Sequence, residues 1–212
     1  MGKRTRDTIV AILAIGAAAV ALHLGFGRKA QAIKLDTYEV LGAVTDEETA
    51  SLLGDQGRIL LMVRDTGPDK NPSVEAQVKA FLQTLKPHTK MYVVVDRVQV
   101  TPMLMMSTGG GVPVDQLFTA IETHAKPEAV VLFFGLPPLT EPELEVLKRT
   151  GVKLVVVSSF RPGYQRLLER RVIQLAIVPR PEAPTLGKVQ TLRERFDQEY
   201  LVIKSPGTMD SP

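Results

Sequence analysis

Cysteine is absent from the 212 residues, which removes thiol catalysis, disulfides and cysteine-based metal sites at once. Histidine is scarce. His23, His88 and His124 stand far apart and form no H-x-x-x-H spacing, so no metal site is expected. A strong charge of either sign is also missing, because 26 basic against 23 acidic residues leave a formal charge of +3, too weak a field to imply nucleic acid. No P-loop lysine follows the glycine run at residues 109–111, that run is not G-x-G-x-x-G, and no G-x-S-x-G elbow surrounds Ser158. No catalytic residue is therefore assigned and no cofactor is expected.

What the chain does have is apolar surface. With 44% hydrophobic and 23% charged residues it supports one domain with a substantial core plus appendages. Residues 1–7 are basic, and residues 8–26 contain no Asp, Glu, Lys or Arg. Those nineteen residues at the helical rise span roughly 28 Å, about one hydrocarbon core. An uncleaved anchor over residues 8–27 is the favoured reading, with a cleaved signal peptide ending at Ala30-Gln31-Ala32 as the alternative. The positive-inside rule puts the N-terminus in the cytoplasm and the remainder outside, as in a bacterial periplasm. A juxtamembrane segment over residues 28–56 follows, where Thr45-Asp46-Glu47-Glu48 has the form of a capping box and predicts a short helix from about residue 46 to 53.

Residues 128–160 organise the rest. Two unbroken runs rich in β-branched residues, 130–134 and 154–157, suit strands buried on both faces of a parallel sheet. Between them Thr140 and Glu143 form a capping box, Pro142 sits in the first turn, and Gly151 is a stop. The same grammar predicts strands at 59–63, 92–95 and 173–178 and helices starting near Pro72, Pro113 and Pro162. The fold class is thus α/β, a Rossmann-like (flavodoxin-like) parallel five-stranded sheet with helices on both faces over residues 57–180, preceded by one transmembrane helix. Residues 181–204 should hold a late helix, its apolar stripe including Leu192 and Phe196, and an extended segment, residues 200–204 being a candidate edge strand. Residues 205–212 read as a disordered tail.

Ligands of open α/β sheets bind beyond the carboxyl ends of the strands, near a switch in strand order. That rule selects Arg64 and Asp65, the loop of Thr108, Gly109, Gly110 and Gly111, then Ser158, Ser159 and Arg161 as candidate ligand-binding residues. The glycine loop before a helix suits an anion. The two serines are candidate caps for the next helix. Met103, Leu104, Met105 and Met106 lie in what reads as a seventeen-residue loop over residues 96–112 and form a candidate partner contact.

Across roughly residues 57–180 the strand and helix order resembles one lobe of the type I periplasmic solute-binding proteins, or a flavodoxin-like domain. The resemblance is architectural and implies no residue roles. The favoured function is a membrane-anchored accessory or scaffold subunit, with the bilayer and other complex subunits as partners. The alternative is an enzyme or solute sensor that binds a small anionic ligand at the rim of the sheet.

Overall fold

The computed structural model describes residues 35–159, 163–181 and 191–208. The expected anchor over residues 8–27 and Arg161 lie outside the described residues, among which no helix is long and apolar enough to cross a membrane. In chain order the elements are α1 (Leu35–Leu53), β1 (Gln56–Asp65), α2 (Pro72–Leu85), β2 (Lys90–Gln99), α3 (Pro102–Ser107), α4 (Val114–Thr123) and β3 (Ala129–Leu132). Then follow α5 (Glu141–Thr150), β4 (Lys153–Val157), α6 (Gln165–Glu169), β5 (Leu175–Pro179), α7 (Leu192–Glu199) and β6 (Tyr200–Lys204).

The strands form one sheet in the order β2-β1-β3-β4-β5-β6. The first five are parallel and β6 returns antiparallel to β5, Pro179 standing opposite Tyr200. This corrects the expected five-stranded, wholly parallel sheet. β6 falls on residues 200–204, the candidate edge strand, and is half-buried along its whole length.

Side chains alternate between two apolar layers, which is why the central strands read as unbroken hydrophobic runs. Leu60, Met62, Val130, Leu132, Leu154 and Val156 pack beneath α4, α5 and α6. On the opposite face, Ile59, Leu61, Val63, Val131, Val155 and Ile177 pack with α1, α2 and α7. Local signals set most helix ends. Asn71 accepts a hydrogen bond from the Ser73 N–H at 2.9 Å, with Pro72 as the first residue of α2. Glu143 accepts from the Thr140 N–H and hydroxyl, each at 2.7 Å, which holds its carboxyl below the usual carboxylate range. Gly151 ends α5 at φ 71°, a conformation that favours glycine.

Four further expectations are corrected. The short helix from residue 46 is instead the C-terminal half of the nineteen-residue α1. Thr45 is no cap, since its hydroxyl donates to the Leu41 carbonyl at 2.6 Å, and Thr49 does the same to Thr45. Residues 96–112 are not a loop, because β2 runs to Gln99 and α3 follows, with Thr101 accepting from the Leu104 N–H at 3.3 Å. Leu192 is exposed at the first turn of α7, while Phe196 is fully buried. Finally, residues 205–208 are tied down, the Ser205 N–H donating to the Gln174 carbonyl at 2.9 Å.

Candidate ligand-binding site

From β1 the chain moves to β2 on one side, then crosses to β3 on the other, so the order switches between β1 and β3. Helices leave on opposite faces there and open a crevice at the carboxyl ends of the strands. A cleft of about 610 Å³ occupies this place. It is lined by Phe133 and Val157 at the strand ends, by Tyr38 and Leu41 of α1 and by Tyr200 of β6. The N-terminal half of α2 and its cap bring Asn71, Ser73 and Gln77, and the end of β1 with the turn after it brings Arg64 and Thr66. The Asn71 N–H donates to the Thr66 hydroxyl at 2.9 Å, which fixes that corner.

Arg64 is the group that stands out. Its Nε is buried and has no hydrogen-bond partner, and the same holds for Nε of Arg180, next to Pro179 at the cleft margin. A buried guanidinium N–H without an acceptor costs free energy that a bound oxygen would recover. The only carboxylate among the described lining residues is Glu199, which already accepts from the Thr37 hydroxyl at 3.2 Å. Burial first, then Glu199 and Tyr38, push the Tyr200 phenol up to about 12, so it remains neutral and able to donate. Tyr200 also lies against Phe196, with ring centroids 5.5 Å apart. The cleft thus offers hydrogen bonding, one unpaired cation and aromatic contact.

The candidate residues fall into distinct places. Gly110, Ser158 and Ser159 line the cleft. Neither serine caps α6, which begins only after Tyr164; the Tyr164 hydroxyl bonds Ser158 and accepts from the Leu136 N–H at 3.2 Å. Thr108 instead closes α3, its hydroxyl 2.9 Å from both the Leu104 and Gly111 carbonyls. Gly111 lies so close to the following loop that a Cβ would sit 2.6 Å from Pro137 N, and Gly109 faces open space at φ 60°. Asp65 is a turn residue outside the lining, accepting from the Gly67 N–H at 2.9 Å and the Gln99 amide at 3.3 Å, bonds that lower its pKa. Met103 and Met106 of α3 are 82% and 86% exposed, whereas Leu104 and Met105 are half-buried. Tyr38, Gln77 and Tyr200 carry no sequence signal for a site, because only the tertiary fold brings α1, α2 and β6 to the rim.

Fold and cleft together define a doubly wound α/β domain with a crevice at its switch point. No family model and no curated protein sequence matches the chain. Among solved structures it is similar to an ABC transporter solute-binding protein from Burkholderia graminis in complex with D-arabinose, with TM-score 0.52 and 16% identity over 82% of this chain and 61% of that one. It is similar also to GanP, a glucose-galactose binding protein from Geobacillus stearothermophilus, with TM-score 0.52 and 12% identity over 81% of this chain and 61% of that one. A third neighbour, the XylFII-LytSN complex, matches with TM-score 0.52 and 13% identity over 79% of this chain and 60% of that one. The likeness establishes the fold, α/β and mostly parallel, as in periplasmic sugar-binding proteins. The chain spans less than two thirds of the length of these neighbours.

Proposed function

We propose that this domain binds a small, hydroxyl-rich, negatively charged solute in the cleft at the carboxyl ends of β1 and β3. The observation that carries the reading is Arg64, a cation in that cleft whose buried Nε lacks an acceptor. A planar guanidinium matches a carboxylate with two parallel N–H bonds, while Asn71, Ser73 and Gln77 suit hydroxyl groups and Tyr38 and Tyr200 suit the apolar face of a sugar-like ring. The sugar ligands named for the structural neighbours support this small-ligand alternative over the accessory-subunit reading.

Thermal unfolding in the presence of arabinonate, galactonate, D-arabinose or D-galactose tests it. At least one of the two acids should raise the midpoint in the manner of a ligand that binds only the folded state, and more than its neutral counterpart does. Arg64→Ala should lose that gain while the unliganded protein stays at least as stable as the wild type to within about 0.5 kcal/mol. Midpoints indifferent to all four compounds, or an Arg64→Ala response equal to the wild type, would sink the proposal.

Display of this domain on a membrane tether is supported by the uncharged stretch at residues 8–26. The intact protein should stay with membranes through alkaline extraction. Recovery of a soluble form that begins near residue 33 would replace the tether with a removed signal peptide.

A further inference from the structure

The sheet has two edges of different character. At one, β6 is five residues long, reversed and half-buried throughout. At the other, β2 pairs with β1 along all ten of its residues, and among the described residues no strand lies on its outer side. Proteins usually blunt such an edge with proline, a bulge, a short strand or inward charge, because a free ladder of N–H and C=O groups recruits another strand. β2 has no proline, and its centre is Tyr92-Val93-Val94-Val95. Tyr92 is 67% exposed and Val94 47% exposed on one face, above a groove of about 300 Å³ that also reaches Thr123 and Pro127. α4 therefore does not cover them.

We infer that β2 is a homodimer interface, a second copy of this chain adding its own β2 antiparallel to the first about a two-fold axis at Val93. The charge pattern selects this occupant and this register. Opposed residues of an antiparallel pair share a face, so Lys90, Tyr92, Val94 and Asp96 meet one another while Met91, Val93 and Val95 meet on the other face. With the axis at Val93, Lys90 faces Asp96 and Tyr92 faces Val94, each pair occurring twice, and Met91 faces Val95. Moving the axis to Val94 sets Tyr92 against Asp96 and Lys90 against Val98; moving it to Val95 sets Val94 against Asp96 and Val93 against Arg97. Of these three, only the Val93 register sets Lys90 against Asp96 and matches the apolar residues 91–95 with one another. Arg97 is already satisfied, since Glu75 takes it in two bonds of 2.8 and 3.0 Å. Asp96 keeps a neighbour in His124, whose Nε2 is 3.3 Å away. A contact built on one self-complementary strand is isologous and closes at two copies.

The natural absence of cysteine makes the register directly readable. In the full chain, purified in mild detergent, Val93→Cys should form a disulfide-linked dimer on mild oxidation, because the two substituted residues face each other across the axis. Asp96→Cys, three positions from the axis, should not. Lys90→Glu and Asp96→Lys, checked for folding by circular dichroism, should each weaken dimerisation by about tenfold, and the double charge swap should restore it. A monomeric wild type overturns the inference, whether the edge is then bare or covered by another part of the same chain. So does a dimer that tolerates both single reversals, or one in which Val93→Cys fails to link.

Discussion

Asp46→Asn should make the protein more stable at pH 8 by up to about 4 kcal/mol and leave it unchanged at pH 4. Asp46 sits in the middle of α1 with no exposed surface, and neither carboxylate oxygen has a hydrogen-bond partner. Burial, and secondarily Glu47, raise its pKa from 3.8 to about 7. For an acid raised in the folded state, the full stability is present below the unfolded value and is lost as the pH climbs from 3.8 through 7. Arg193 and Lys204, cations that meet α1, are held instead by Glu48 at 2.7 and 3.2 Å. Urea unfolding at pH 4, 6 and 8 checks this. Wild type and Asp46→Asn with parallel pH profiles would show that the carboxylate is solvated after all.

Gly42→Ala is the other large effect, and it runs against helix propensity. In an exposed helix interior this change gains about 1 kcal/mol. Here a Cβ would stand 2.1 Å from the Gln77 carbonyl oxygen and 2.9 Å from its carbon, backbone atoms that no rotamer can move aside. α1 must then lift from α2, and the expected outcome is a net loss of about 3 kcal/mol. Tyr38 and Leu41 rise with α1 and widen the cleft they wall, so ligand affinity should fall as well. An unchanged or raised denaturation midpoint would mean that the two helices are not in this contact.

The parts of this fold legible in sequence are those whose signals are local or doubly buried. Val130, Val131, Val155 and Val156 announce central strands because both faces of the sheet exclude water, and Asn71, Thr140 and Gly151 announce helix ends because their bonds close within a few residues. The reading failed where a local signal lost to a distant contact. Thr45-Asp46-Glu47-Glu48 has every mark of a helix start, yet Gly42, a poor helix former in isolation, continues the helix because its missing side chain admits α2. Arg64, Ser158, Ser159 and Gly110, which the rule of strand ends selects, line the cleft, whereas Asp65, selected by the same rule, stands outside the lining in the turn that Asp before Thr-Gly-Pro commonly makes. Tyr38 and Tyr200 have no such rule to reveal them, since each is brought to the rim by an element outside the parallel core.

The clasp between α1 and α7 bears on when the protein can fold during its synthesis. Glu48 meets Arg193 across 145 residues, Thr37 meets Glu199 across 162, and Phe196 fills the same apolar layer as Val44 and Phe81. None of these contacts can exist until α7 has left the ribosome, so α1 waits for α7 with Leu41 and Val44 uncovered by their final partner. Nascent chains stalled before residue 190 should therefore remain protease-sensitive at α1 and dependent on a holding chaperone. Release past residue 204 should close that window in a single late step.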